Sequence, residues 1–161
     1  MTRFTIRRGR SDDSEQFIGL VRSLAKFEHL DPPSAEGRRR LAEDVFRRGR
    51  VKLLVAADGK KLIGYALYFF TYSSFLARPS LYLEDLFVLE EHRSLGVGLA
   101  LFRRCAAEAV ASGCGRMEWA VLTWNVKAQR FYEGLGARRL SDWQVYRLDE
   151  SGLRKLSKEG P

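Results

Sequence analysis

The chain has 161 residues, with 28 Lys and Arg against 20 Asp and Glu for a net charge of +8, and 45% hydrophobic content. That length fits one domain spanning residues 1–161 with a substantial core, and three Trp, six Tyr and ten Phe argue against disorder. No apolar run approaches the roughly 20 residues needed to cross a bilayer, and the N-terminus MTRFTIRRGRSDD lacks the apolar stretch of a signal peptide, so a cytoplasmic protein with no membrane partner is expected.

In chain order, Phe4–Arg7 reads as a first strand. Ser11 is placed to cap a helix whose Phe17, Leu20, Val21 and Leu24 recur at helical spacing as far as Phe27. Two prolines after Asp31 break the chain, and a second helix is expected from Ser34 to Arg47. Val51–Ala57 and Lys61–Tyr72 read as strands of a hairpin around Asp58-Gly59. Ser73–Ser80 reads as a loop containing Pro79, and Leu81–Val88 as a largely apolar, central strand. A helix from Leu95 to Ser112 follows, stopped by Gly113. Met117–Leu122 is a strand, Asn125 caps a short helix ended by Gly136, and Trp143–Leu148 is a last strand before a basic tail. This order, βααβββαβαβ, gives a mixed α/β (α+β) domain.

The segment LYLEDLFVLEEHRSLGVGL, Leu81 to Leu99, carries most of the chemistry. A strand feeding a glycine-rich turn at a helix N-terminus makes an anion cradle, because free backbone N–H groups and the positive helix end converge there. Glu84 and Asp85 lie inside that strand, where sheet burial normally excludes acids. Gly96-Val97-Gly98 lacks the third glycine of a dinucleotide fingerprint, Leu101 standing in its place, and a Walker lysine is missing. Cys105 and Cys114 match no zinc spacing and His29 and His92 form no cluster, so no metal is expected. The basic run Arg38 to Lys52 reads as a solvated helix face. Without RNA-recognition aromatics or finger spacings, nucleic acid is not an expected partner.

Arg93 to Gly98, followed by a strand and then by Asn125, Ala128, Phe131, Tyr132, Gly136 and Ala137 in N-x-x-A-x-x-F-Y-x-x-x-G-A, resembles the GNAT family of acetyl-CoA-dependent N-acetyltransferases. LAKFEHL, YFFTYSS, LYLEDLFV, AVLTWN and FYEGLGA are similar to the diamine (spermidine/spermine) and thialysine N-epsilon-acetyltransferases. The resemblance implies a central mixed, mostly antiparallel sheet, splayed at the cofactor site and flanked by helices, with acetyl-CoA as co-substrate. It also implies a homodimer.

The resemblance further implies roles by position. The backbone of Leu86, Phe87 and Val88 would pair with the pantetheine arm. Arg93 would open the turn, and Ser94, Leu95, Gly96, Val97, Gly98 and Leu99 would wrap the pyrophosphate. Asn125, Val126, Lys127 and Ala128 would touch the cofactor from the other side, with Tyr132 donating a proton to the leaving thiolate. Glu84, Phe27 and Glu28 would line the acceptor-amine pocket over a floor of Glu118, Trp119 and Ala120.

An alkylammonium of pKa about 10.4 is almost wholly protonated at pH 7, so its attack needs a base. Glu84 is the expected base, while Asp85 alternates away from it and is expected to serve structure. Bland readings stand beside these: Tyr132, Trp119 and Trp124 as packing, Glu84 in an ion pair, Glu28 in solvent. In the diamine acetyltransferases the loop after the YFFTY-like strand carries an acid followed by a Trp, where this chain has Ser73 and Phe75. The expected reaction is direct acetyl transfer, in a ternary complex, to a thialysine- or lysine-like amino acid or a diamine. A protein or peptide amine as acceptor, or a non-catalytic binding module on the same scaffold, are the alternatives.

Overall fold

Leu53–Ala57 and Leu62–Tyr68 are buried without interruption, as strands covered on both faces must be. In the computed structural model, which describes residues 4–158, they are central strands of a five-stranded sheet ordered β1-β2-β3-β4-β5. The strands are β1 (Thr5–Arg8), β2 (Lys52–Asp58), β3 (Lys61–Ser73), β4 (Arg78–Val88) and β5 (Arg116–Glu118). The first four run antiparallel, and β5 joins β4 in parallel. The chain divides into two compact units, residues 1–120 and 121–161. The first holds the sheet with helices α1 (Ser14–Phe27), α2 (Ala35–Phe46) and α3 (Val97–Ala111), and the second holds α4 (Val126–Gly134) and α5 (Glu150–Leu156).

Strand alternation sends the sheet's side chains to two apolar layers. On one face Leu54, Ala56, Ile63, Ala66, Leu81 and Leu83 pack against Val97, Leu101 and Cys105 of α3. On the other, Leu53, Val55, Tyr65, Leu67 and Phe87 meet Phe17 and Leu20 of α1, with Leu41 and Val45 of α2 at the edge. Each fully buried Leu or Phe contributes about 2–3 kcal/mol, so both layers stabilise the sheet between its helices. No helix among the described residues is long and apolar enough to cross a membrane.

Several local expectations are corrected. Ser11 starts a short 3-10 turn, Ser11–Asp13, and α1 begins after it. The Asp13 carboxylate holds Arg7 through two bonds of 2.7 and 2.8 Å and accepts the Arg10 N–H at 2.7 Å. Arg7 holds Asp13 below the usual carboxylate range, so this corner ties β1 to α1 more firmly than a hydroxyl cap. The hairpin turn is Gly59-Lys60, since Asp58 pairs with Lys61. Pro79 lies within β4 opposite Tyr72, near the strand's start, where a missing N–H is tolerated. Trp143–Leu148 forms no strand. It remains extended in sequence pattern yet unpaired, with Trp143, Val145 and Tyr146 75%, 89% and 88% exposed. The basic tail instead forms α5, capped by the Asp149 carboxylate on the Gly152 N–H at 2.8 Å.

Candidate active site

The central feature is a fork in the sheet. β4 pairs with β5 only at Ser80, Leu81 and Tyr82, whereas on its other side the ladder with β3 runs on to Val88. From Leu83 onward, β4 therefore has no sheet partner on the β5 side among the described residues, and that edge is available to an extended ligand. Gly64 holds β3 tightly against this segment, since a Cβ there would lie 2.7 Å from the Phe87 carbonyl. Leu86, Phe87 and Val88 are thus fixed on the β3 edge and have no strand partner on the other, where the Val88 carbonyl is met by Arg93.

Beyond Val88 the chain turns through residues 89–96 into α3. Ser94 and Gly96 both adopt left-handed backbone, at φ 64° and 81°. No side chain caps α3, so the first-turn N–H groups, which have no intrahelical acceptors, point out of the helix with its positive end. A Cβ on Gly98 would meet only Val88, at 3.8 Å, and Ser94, Leu95 and Gly96 are exposed. Residues 94–99 accordingly have the shape and polarity of an anion cradle. Arg93 turns inward instead of toward it. Its Nε donates to the Val88 carbonyl at 3.0 Å, and its guanidinium lies 4.6 Å from the Phe27 ring and 5.7 Å from that of Phe87.

The acids are arranged by a β-bulge. Leu67 pairs with Asp85 but Tyr68 pairs with Leu83, so Glu84 is the extra residue. The bulge shifts the alternation by one. Leu81 and Leu83 face α3, as do Leu86 and Val88, while Phe87 faces α1. Asp85 consequently does not turn away from the site. It is half-buried on the α1 side and accepts a hydrogen bond from the Tyr65 hydroxyl at 3.0 Å. Glu84, expected to be semi-buried, is exposed. Burial pushes Asp85 up to about 6; the Tyr65 hydrogen bond opposes this, and the charges of Glu84 and Glu28 add to it. Half-buried Glu28, just past the end of α1, is also raised by burial. Glu28, Glu84 and Asp85 all act on the Tyr65 phenol, whose pKa lies well above its ordinary value, chiefly through burial.

The floor residues separate. Glu118 is half-buried and ion-paired with Arg116 at 3.2 Å, and bears with Glu84 on the hydroxyl of Tyr82. Trp119 packs edge-on to Phe102 of α3 at 5.3 Å, in the layer on the far face from Asp85, and Ala120 is exposed. Ser73 is buried with its hydroxyl accepting the Leu76 N–H at 3.2 Å, and Phe75 is 99% exposed at the hairpin tip. In the second unit, the Asn125 side chain caps α4 on the Ala128 N–H at 3.1 Å, with Val126 and Lys127 exposed beside it. Tyr132 is half-buried, its ring 5.1 Å from that of Phe131. Strict alternation turns Asp85 away from the site and cannot reveal the bulge that brings it to the α1 face.

An open strand edge, an anion cradle at its end and a carboxylate titrating near neutrality can together hold a phosphate-bearing extended ligand and take up a proton. The Acetyltransferase (GNAT) family model matches residues 17–137. A thialysine N-epsilon-acetyltransferase of Mus musculus is 33% identical over 94% of this chain and 96% of its own length. An integron cassette protein from the mobile metagenome of V. cholerae superposes with a TM-score of 0.82 at 26% identity, covering 99% of each chain. AAC(6')-Iy, in complex with the bisubstrate analog CoA-S-monomethyl-acetylneamine, shares the fold with a TM-score of 0.77 at 21% identity, over 91% of this chain and 99% of that one. This chain therefore belongs to the GNAT family, and it is an N-acetyltransferase that uses acetyl-CoA.

Proposed function

We propose that the protein acetylates the terminal primary amine of a small thialysine- or lysine-like amino acid or a diamine, by direct attack in a ternary complex, with Asp85 as general base. The observation that carries this is the half-buried Asp85 carboxylate, raised to about 6, three residues before Val88 at the open edge of β4. Acetyl-CoA supplies an acyl group activated as a thioester. The donor set fits it: the open edge of Leu86, Phe87 and Val88 suits an amide-bearing arm, and residues 94–99, with Gly96 left-handed, suit a pyrophosphate. From the resemblance, Asn125, Val126, Lys127 and Ala128 complete the cofactor contacts.

The acceptor enters as an ammonium, and carboxylates at Glu28 and Glu84 favour its approach. Asp85, being ionised above about pH 6, accepts one proton of the ammonium, which frees the nitrogen lone pair to attack the acyl carbon. The C–N bond forms, the C–S bond breaks, and Tyr132 gives its proton to the departing sulfur and is restored by the second proton that the nitrogen sheds. Open N–H groups of the forked β4 are suited to stabilising the oxyanion. Arg93 serves by holding Phe27 and Val88 in place rather than by meeting phosphate.

Similarity to the thialysine acetyltransferases supports an amino-acid acceptor. So does the loop at Ser73 and Phe75, which lacks the acid a polyamine site would use; Ser73 is spent on the hairpin turn. We propose in addition a homodimer, supported by the strand-patterned, exposed segment Trp143–Leu148. The deciding experiment is acetyl-CoA turnover by free-thiol release against thialysine, lysine, ornithine, putrescine, spermidine, spermine and a lysine-bearing peptide. Preferred turnover of one small amine supports the reading. Turnover of the peptide alone overturns it.

A further inference from the structure

Tyr65 heads the fully buried side chains by volume among the described residues. Its ring lies edge-on to Phe17 at 5.2 Å and tilted against Phe87 at 6.3 Å, a packing that phenylalanine would satisfy equally well. A hydroxyl in such a layer costs free energy unless it is bonded. Here it reaches diagonally across the β3–β4 pair, from the position opposite Phe87 to Asp85, which stands opposite Leu67.

We propose that Tyr65 is a positioning residue for acetyl transfer: its hydroxyl fixes one carboxylate oxygen of Asp85 and leaves the other free to take the acceptor's proton. The inference rests on Asp85 being the base. The Tyr65 phenol is raised well above its ordinary value, so it keeps its proton at any working pH and donates it in the bond to the ionised Asp85. Among the described residues, the groups that act on Asp85 are Tyr65 on β3, Glu84 on its own strand and Glu28 beyond α1. The guanidinium of Arg93 lies over Phe27 and Phe87, and the α1 side chains against this face, Phe17 and Leu20, are apolar. Tyr65 is thus the neutral donor among these groups that bonds the carboxylate directly. Without it, the Asp85 oxygens lose their fixed orientation and its proton is held more tightly.

The test is Tyr65→Phe, which keeps the packing and removes the bond. Rates are measured as kcat/KM from pH 5 to 9, and the variant-to-parent ratio at each pH cancels the acceptor's own ionisation. The expected result is an acid limb moved up by about one unit, giving roughly fifteenfold loss at pH 6, about fivefold from the moved limb and about threefold from lost aim. A loss of about threefold persists at pH 8.5 from the lost aim, mostly in kcat rather than in either KM. A thermal melt alongside reports the packing separately. A ratio that does not change with pH overturns the inference, whatever the melt shows. Asp85→Asn distinguishes the two failures. If it retains the parental rate and limb, the base assignment is wrong. If it abolishes them while Tyr65→Phe leaves the limb unmoved, only the role of Tyr65 is wrong.

Discussion

The two faces of the sheet are built from similar side chains and differ in one layer of polar atoms. The α3 face is apolar from Leu54 to Leu101, and the hydroxyl of Tyr68 there, pushed up to about 12 mainly by burial, stays an inert phenol. The α1 face carries the same kind of aromatic packing around Phe17 and Tyr65, but it is interrupted by Asp85 with Glu28 and Glu84 near it. A one-residue bulge in β4 makes the difference. It leaves the α3 layer continuous, while rotating one carboxylate into the α1 layer at the point where the sheet opens. One face therefore stabilises the scaffold, and the other buries a carboxylate at a cost in stability, where the proposed base is needed.

The largest expected effect falls on the reactive face. Asp85→Asn lowers kcat by about 10²–10³ at pH 8 with little change in acetyl-CoA affinity, checked by steady-state kinetics and calorimetric titration. The same variant reports on stability. A folded-state value of about 6 exceeds the ordinary carboxylate value, so the native protein binds more protons than the unfolded chain between about pH 4 and 6. Parental stability therefore falls as pH rises through that window, and the asparagine variant, which has nothing to ionise there, does not share the loss. Denaturant unfolding gives an advantage to Asp85→Asn that grows from pH 4 to pH 7, up to about 3 kcal/mol. An advantage that shrinks over that range would contradict the raised value.

The inert face gives the opposite pattern. Leu101→Ala, at a position with no exposure, costs about 3 kcal/mol in urea unfolding through its cavity, while kcat per folded molecule at 15 °C stays within twofold. Loss of kcat with normal stability would mean that the α3 layer takes part in the chemistry. Between the faces, Gly96→Ala forces a Cβ into a left-handed residue at φ 81°, costing about 1–2 kcal/mol. If that strain is relieved by reshaping the cradle, acetyl-CoA binds about tenfold more weakly and the amine KM is unchanged.

How much of this is legible in the sequence follows from the same comparison. The α3 layer, the α1 layer and the glycine-marked cradle obey simple periodicities, so the elements from α1 to α3 lie within a few residues of their expected bounds. Features that depend on pairing are not written locally. Nothing in LYLEDLFV distinguishes a bulged strand from a regular one, so alternation alone assigns the buried acid to Glu84. Likewise Trp143–Leu148 has a strand's composition, but a strand exists only where a partner edge is available. Arg93 shows a third limit: the turn it opens is legible, but not that its side chain lies over Phe27, distant in sequence.

The smallest expected effect sharpens the choice between the two adjacent acids. Glu84 is exposed and, as the bulge residue, has no cross-strand partner, so water screens its charge. Glu84→Gln is expected to raise the amine KM by about threefold through the lost attraction and to leave kcat nearly unchanged. It also removes one of the charges that raise Asp85, so the acid limb moves slightly down, in the direction opposite to Tyr65→Phe. Opposite displacements from two neighbours of one carboxylate would identify Asp85 as the titrating group without altering it. A collapse of kcat in Glu84→Gln, with the limb abolished, would transfer the base role to Glu84 and leave Asp85 as the residue that shapes the bulge.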